Sequence, residues 1–306
     1  MTEESAPRRD RRVLLLLWML PLWLAVSGGA GIWIYFRKQA AAEAEEQARF
    51  ATAVSEKGLR DDRGKLLGFV GERHTASPSG VQGLNRAAAM IEGSLGPGNA
   101  GYAIERVRAP GSPAGAWPLI VVTLRGKEKK AGPLWVVAGY DSRPGSPGAE
   151  ANASGVASVL AAAHALAGSS PHRTVSFAFL PHAYDPDSPV LETCAVLRER
   201  IGTASEVLVV ESTGAARELM VSSRDAESRA FRRVEGLGEV AGAEAVCLED
   251  DFDLSSVLFE VGLPAVRVAT RPVVRAEEAD STVPDPAIHA AATNALVVLI
   301  RRLSDS

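Results

Sequence analysis

The sequence predicts an α/β domain with a mostly parallel, mixed central sheet and helices on both faces, preceded by one transmembrane helix. The first observation is that short apolar runs, typical of strands, alternate with helical runs over residues 59–306. The second is a run of six apolar or small residues from Leu134 to Gly139, since strands of a covered parallel sheet are apolar throughout. The third is an uncharged, mostly apolar run over residues 13–36, which predicts the membrane helix.

The composition limits the classes of protein to which the chain can belong. The chain has 306 residues, of which 46% are hydrophobic, so it can bury a sizeable core. A net charge of −4 gives no indication of a nucleic-acid partner. Two cysteines, Cys194 and Cys247, exclude a disulfide-rich scaffold. Outside the cytoplasm they could pair, and otherwise they are predicted to be buried thiols.

The N-terminal region predicts a single-pass anchor in the cell membrane. Residues 13–36, as a helix of about 36 Å, are long enough to cross a hydrocarbon core of about 30 Å. Four arginines lie in residues 1–12, so the positive-inside rule places that end in the cytoplasm and the main domain outside it. Residues 37–58, rich in Ala and Glu, are predicted to form a helical stalk. The alternative is a cleaved signal peptide, since small residues occur at 27–31.

The first elements of the domain precede its central loop. We expect helices over residues 60–70 and 81–95, the second with an apolar face, and strands over residues 102–107 and 118–124.

The central stretch predicts a ligand site. A strand from Leu134 is followed by a Gly/Pro-rich loop and by a helix that begins near Asn152. Ligands of α/β sheets bind at the carboxyl ends of parallel strands. The loop places the polar side chains of Asp141 and Glu150 at such an end.

The second half continues the alternation to the C-terminus. The elements expected there are strands over 173–180, 206–210, 217–222 and 263–269, and helices over 190–201, 226–238, 287–303 and part of 250–261.

Two motifs of this stretch resemble a known family, the di-zinc exopeptidases that include bacterial leucyl aminopeptidases and glutamate carboxypeptidase. Residues 136–142 read Val-Val-Ala-Gly-Tyr-Asp-Ser, where the family has Val-x-x-His-Tyr-Asp-Ser. Residues 148–155 read Gly-Ala-Glu-Ala-Asn-Ala-Ser-Gly, where the family has Gly-Ala-x-Asp-Asn-Ala-Ser-Gly. The segment Gly-Leu-Pro-Ala at residues 262–265 is also similar to a later family segment. The resemblance covers most of the chain after residue 60 and implies the same α/β fold.

The resemblance also implies where the zinc ligands would lie. The family's first ligand, a His, corresponds to Gly139, and its bridging Asp corresponds to Ala151. The Glu-Glu pair that supplies a general base and a ligand corresponds to His182 and Ala183. The next ligand, an Asp, corresponds to Glu211, and the last ligand, a His, falls near Ala276.

Among these ligand positions only Glu211 offers an oxygen. A catalytic zinc ion needs about three protein ligands and a water molecule. We therefore expect no cofactor, no catalytic residue and no peptidase activity. The expected role is binding or scaffolding through a degenerate pocket that could hold a peptide or protein ligand. The pocket residues are Gly139, Asp141, Glu150, Ala151, Asn152, His182, Ala183 and Glu211.

Two alternatives stay open. One is an active zinc-dependent aminopeptidase whose ligands are relocated, with Asp185, Asp187, Asp250, Asp251 and Asp253 among the available carboxylates. The other is a purely structural membrane-tethered module whose old pocket is filled by side chains. The histidines outside the pocket are predicted to be surface or packing residues: His74, His164, His172 and His289.

Overall fold

A computed structural model describes residues 54–202, 205–237, 244–247, 253–274 and 280–305, together with residues 19, 23, 27–29 and 31–39 near the N-terminus. Met1–Thr52 and Ala53–Ser306 form two separate compact units. Most of the predicted membrane segment, residues 13–36, and most of the predicted stalk, residues 37–58, lie outside the described residues. Within the described part of the chain, no helix is both long enough and apolar enough to span a bilayer.

A mixed sheet of eight strands forms the centre of the second unit. The strands are β1 Glu105–Arg108, β2 Pro118–Leu124, β3 Leu134–Gly139, β4 Val175–Leu180, β5 Glu206–Val210, β6 Met220–Ser223, β7 Glu244–Cys247 and β8 Val266–Ala269. Their spatial order is β1-β2-β4-β3-β5-β8-β6-β7. The four central strands β4, β3, β5 and β8 are parallel, whereas β1, β2 and β6 pair with a neighbour in the antiparallel direction. The predicted α/β class, with a mostly parallel, mixed sheet, is confirmed.

Helices cover both faces of the sheet. They are α1 Glu56–Gly64, α2 Pro78–Leu95, α3 Ala153–Leu166, α4 Val190–Ile201, α5 Arg229–Gly236, α6 Leu254–Glu260 and α7 Pro286–Asp305. Side chains of a strand alternate between the two faces. On β3, Val136 accordingly packs in a core layer with α2, α3, α5 and α7, while Val137 packs in a second layer with α4 and α6. Cys194 lies in this second layer as a free thiol, one of the two states predicted for it.

Most elements lie where the sequence places them, and the exceptions have local causes. Helix α2 begins at Pro78 rather than at Val81, because Ser77 accepts a hydrogen bond from the Gly80 amide and proline suits a first helical position. The helix predicted over residues 60–70 is α-helical only to Gly64 and continues as a π-helix. Strand β7 was missed, since four residues give no readable alternation.

A buried polar cluster joins α1, α3 and α7. His289 Nδ1 lies 3.2 Å from Arg63 Nη1, and because a guanidinium only donates, this nitrogen accepts and Nε2 carries the proton. His289 Nε2 then lies 2.9 Å from Ser158 Oγ and 3.2 Å from the Ser154 carbonyl oxygen. Burial, followed by the charge of Arg63, lowers the pKa of His289 to about 4. His289 is therefore a neutral packing residue, in agreement with the sequence-based expectation.

This cluster predicts a pH-dependent contribution to stability. The pKa of His289 is lower in the folded chain than its ordinary value of 6.5, so the unfolded chain binds more protons below that value. The stabilisation is complete above pH 6.5 and is lost as the pH falls towards 4, by roughly 3 kcal/mol at most. The measurement is denaturant unfolding of the wild type and the His289→Gln variant across this pH range.

We expect the difference in unfolding free energy between these two proteins to shrink as the pH falls. The matched control is His172→Gln, because His172 is exposed. A difference that stays constant with pH would contradict the assignment of a buried neutral imidazole.

Candidate functional site

A cleft of about 770 Å³ opens at the carboxyl ends of the parallel strands. Three of the predicted pocket residues, Ala151, Ala183 and Glu211, line it. Helices α4 and α6 contribute an apolar wall that includes Leu191 and Val257. The cleft thus lies where the strand-end loops predicted a ligand site.

The position of Gly139, at the end of β3, is filled by its neighbours. A Cβ atom at this position would lie 2.4 Å from Ala183 Cβ and 2.7 Å from Tyr184 Cε2. Real Cβ atoms do not approach other atoms so closely, and packed interiors yield only at a cost of about 1–3 kcal/mol. The aromatic ring of Tyr184 therefore closes the space that a side chain on residue 139 would enter.

Asp141 holds the loop that carries this ring. Its Oδ2 atom accepts hydrogen bonds from the amides of Ala183, Tyr184 and Asp185 at 2.8, 2.9 and 3.0 Å. Burial raises the pKa of Asp141 to about 6, even though these three bonds act to lower it. The carboxylate therefore positions backbone and does not face the cleft.

Arg73 supports the same loop region from behind. Its Nε donates to the Tyr140 carbonyl at 2.8 Å, Nη1 donates to the Gly71 carbonyl at 2.6 Å, and Nη2 donates to Asn152 Oδ1 at 3.2 Å. Burial lowers the pKa of Arg73 to about 10, so the guanidinium stays charged at neutral pH. Asn152, the residue before α3, is accordingly a structural partner of Arg73.

Both oxygens of Glu211 are bonded to protein groups. Arg267 Nε donates to Glu211 Oε1, and the Tyr184 hydroxyl donates to Oε2 at 2.7 Å. The second anion beside the guanidinium is Asp253, whose Oδ2 lies 3.4 Å from Arg267 Nε. Glu211 and Arg267 are 2% and 0% exposed. The carboxylate at a matched ligand position is thus neutralised by a buried guanidinium.

The pKa values of this cluster follow from its charges. Burial acts to lower the pKa of Arg267, but Glu211 and then Asp253 outweigh it, and the pKa lies above its ordinary value. Burial, and then the charge of Glu211, raises the pKa of Tyr184 well above 10. The guanidinium is therefore charged, and the phenol is neutral and donates a hydrogen bond to Glu211.

The segment around Glu150 and Ala151 is fixed by Asp280. Asp280 Oδ1 accepts from the Glu150 amide at 2.7 Å, and Oδ2 accepts from the Ala151 amide at 3.2 Å. The Glu150 carboxylate lies 3.3 Å from Arg271 Nη1. Asp280 therefore holds the backbone that precedes α3 by accepting hydrogen bonds from it.

His182 lies in the core and does not line the cleft. Thr193 Oγ1 donates to the Pro189 carbonyl at 2.8 Å, so it accepts from His182 Nδ1, which is 2.9 Å away. The imidazole also meets the Trp117 ring edge-on, with centroids 6.1 Å apart. Burial lowers the pKa of His182 to about 4, so the ring is neutral at pH 7.

Sequence reasoning missed Tyr184 and Arg267. Tyr184 gave no signal, since nothing in its neighbours indicates that its ring packs on Gly139. Arg267 did give a signal, because it is the one charged residue of the short apolar strand β8. Charged side chains are almost never fully buried without a partner, so this position indicates a buried carboxylate nearby.

The residues of the site do not fit a zinc ion. Positions 139, 151 and 183 offer no donor side chain, and Glu211 is bonded to Arg267. Over the residues that the structure describes, no group of three or more His, Cys, Asp or Glu side chains is arranged to hold a metal. Asp185, one of the relocated candidates, accepts from the Thr75 amide and hydroxyl. Asp250, Asp251 and the position near Ala276 lie outside the described residues.

Comparison with known proteins supports the family resemblance. Residues 120–181 match Peptidase family M28, a stretch that runs from β2 to the end of β4 and includes positions 139 and 151. The resemblance to a zinc exopeptidase family predicted from the motifs is confirmed. A comparison with curated protein sequences gives no match.

Several solved structures share the fold. LapA of Legionella pneumophila aligns with a TM-score of 0.65 and 16% identity, covering 86% of this chain and 77% of LapA. A leucine aminopeptidase precursor of Bacteroides thetaiotaomicron aligns with a TM-score of 0.59 and 12% identity, covering 81% and 97%. Glutaminyl cyclase of Porphyromonas gingivalis aligns with a TM-score of 0.59 and 13% identity, covering 82% and 100%. These similarities establish a common architecture that hosts more than one activity.

The packing around Gly139 predicts the effect of a single methyl group. Gly139→Ala should lower the free energy of unfolding by about 1–3 kcal/mol, because the new Cβ collides with Ala183 and Tyr184. Adding Ala183→Gly should recover part of the loss. The control is Gly93→Ala on α2, where nothing lies within 4 Å of the new atom and stability should rise by up to about 1 kcal/mol. Unchanged stability of Gly139→Ala in denaturant titration would contradict the filled site.

Proposed function

We propose that this chain, whose residues 120–181 match Peptidase family M28, is a membrane-anchored, catalytically inactive aminopeptidase-like domain that binds a peptide or protein ligand outside the cytoplasm. The observation that carries the proposal is the bonding of Glu211. Among the matched ligand positions in the described residues, only Glu211 has a side-chain atom that could bind a metal. Arg267 and Tyr184 donate hydrogen bonds to its two oxygens.

A metal ion would have to displace the guanidinium to reach this carboxylate. Breaking a buried ion pair costs about 3–5 kcal/mol, since it leaves an uncompensated charge. Arg267 would also repel a dication from the cluster that it shares with Asp253. A hydrolytic zinc ion further needs an open coordination position for water. The cluster around Glu211 is therefore unsuited to hold a hydrolytic zinc ion.

The family's general base has no working replacement at the matched position. That position holds His182, whose Nδ1 is bonded to Thr193 and whose ring packs on Trp117. A general base must reach the proton that it abstracts directly or through one water molecule. His182 does not line the cleft, so it does not meet this condition.

Loss of the metal site leaves the cleft itself open. Its volume of about 770 Å³ is in the range of ligand pockets, which are roughly 300–1,000 Å³. Leu191 and Val257 give it an apolar wall. Ser212 lines it as well, and its buried Oγ has no hydrogen-bond partner among the described residues. This geometry favours a binding domain over the alternative of a structural module with a filled pocket.

The proposed location rests on the sequence. Residues 13–36 are long and apolar enough to cross a bilayer, and four arginines precede them within residues 1–12. The chain is therefore proposed to be a single-pass protein of the cell membrane, with its larger unit outside the cytoplasm.

The first test concerns catalysis. We expect the purified chain, incubated with zinc, to release no chromophore from aminoacyl-p-nitroanilides above the rate of a heat-denatured sample. The physical reason is the absence of a bound, activated water. Hydrolysis that chelators abolish and zinc restores would overturn the proposal in favour of an active aminopeptidase with relocated ligands.

The second test concerns the cleft. A photocrosslinking amino acid in place of Leu191, which lines the cleft and is 49% exposed, should give specific adducts in the native membrane. The same replacement of Phe69, which is 69% exposed but does not line the cleft, serves as the matched control. An additional Val257→Glu substitution in the cleft wall should abolish the Leu191 adducts. The same adducts at both sites, or none at Leu191, would count against a ligand in the cleft.

A further inference from the structure

The edge of the sheet opposite the cleft, where the parallel strands begin, brings several separate segments together. The Lys127 amide donates to the Pro171 carbonyl at 2.9 Å, and the Glu206 amide donates to the Pro133 carbonyl at 3.1 Å. The Arg173 amide donates to the Ser304 carbonyl at 2.8 Å. The loop after β2, the starts of β4 and β5 and the end of α7 therefore form one surface. We call this surface, with the start of α5, the basic face.

The loop after β2 gives this face an excess of positive charge. Residues 125–130 read Arg-Gly-Lys-Glu-Lys-Lys, and all of their charged side chains are exposed. The carboxylate of Glu128 accepts a hydrogen bond from the Lys130 amide at 2.8 Å, which stabilises the turn at these residues. Lys127 and Lys129 make no ion pair with any described residue. The loop therefore presents its cations to an external partner.

A second excess of positive charge lies beside this loop, at the start of β5. The carboxylate of Glu206, buried at 1% exposure, is the shared partner of Arg173, Arg229 and Arg233. One carboxylate cannot neutralise three guanidinium groups. The side chain of Arg229 is 65% exposed, so part of this excess reaches the surface.

Helix dipoles do not account for this charge. Cations are favourable at helix C-termini, which explains Arg302 in the last turn of α7. The loop at residues 125–130, however, is not helical, and Arg229 lies at the N-terminus of α5, where a cation is unfavourable. Of the acids on this face, Glu227 is paired with Arg232, and Asp305 accepts a hydrogen bond from the His172 amide at 3.3 Å.

The opposite face has the other sign. The cleft is lined by Asp185, Glu192, Glu211, Asp253 and Glu260 and by the cation Arg143. Even with the buried Arg267 that pairs with Glu211, carboxylates outnumber guanidinium groups there. The larger unit therefore has a positive end and a negative end, although the chain as a whole has a net charge of −4.

We propose that the basic face docks on the anionic phospholipid surface of the membrane that holds the chain, so that the cleft faces away from the bilayer. This inference rests on the proposed membrane anchor. Basic side chains near an anionic bilayer each gain about 1 kcal/mol, an attraction that decays within the screening length. Docking adds a second membrane contact and presents the acidic, apolar cleft to ligands in solution.

The test uses the full chain in nanodiscs of neutral phosphatidylcholine and of phosphatidylcholine with phosphatidylglycerol. Amine acylation of Lys127, Lys129 and Lys130, followed by mass spectrometry, should be at least about threefold slower in the anionic discs. The reference lysines Lys57 and Lys65 on α1 should react equally in both. Protection should vanish at about 1 M salt, where the screening length is roughly 3 Å.

A variant pair checks that charge is the cause. Arg125→Glu should reduce the protection of the neighbouring lysines, whereas Arg60→Glu on α1 should leave it unchanged, since both arginines are exposed. Equal acylation in the two kinds of disc, or protection that persists in Arg125→Glu and at high salt, would overturn the proposal. Retention of the chain in neutral discs reports separately on the membrane segment, so failure of the anchor and failure of the basic face can be told apart.

Discussion

The buried pairing of Arg267 with Glu211 is the constraint on which the rest of the site depends. A guanidinium at 0% exposure is tolerated only where carboxylates compensate its charge, and Glu211 and Asp253 do so here. The same pairing occupies one oxygen of Glu211, and the Tyr184 hydroxyl occupies the other. The protein thus supplies from its own side chain the positive charge that the carboxylate requires. An incoming metal ion would have to compete with this guanidinium and this hydroxyl for the oxygens of Glu211.

The backbone of the site is positioned by hydrogen bonds to buried polar side chains. Asp141 binds three successive amides after β4, and Asp280 binds two amides before α3. Arg73 joins the loop after β3 to the start of α3 through Asn152. These bonds are all made between protein groups, and they hold the backbone around the strand-end cleft. Structures that share this fold include an aminopeptidase precursor and a glutaminyl cyclase, so the architecture hosts more than one activity.

The sequence predicted the fold further than it predicted the site. Strand β2 and helix α4 lie at their predicted residues, because apolar periodicity and Gly/Pro boundaries act locally. Glu211 and Arg267 are 56 residues apart, and their pairing arises from the alignment of β5 with β8, which periodicity does not specify. His182 was predicted to be a pocket residue by its place in the motif, yet its surroundings are set by Thr193 on α4.

The most direct measurement is anomalous diffraction at the zinc edge from crystals of the chain grown with excess zinc. We expect no anomalous peak within bonding distance of Glu211, about 2.0–2.2 Å for a carboxylate oxygen. We also expect Arg267 and Tyr184 to keep their contacts with Glu211 in those crystals. A peak bound to Glu211, with the Arg267 guanidinium displaced and further ligands supplied by other residues, would contradict this expectation.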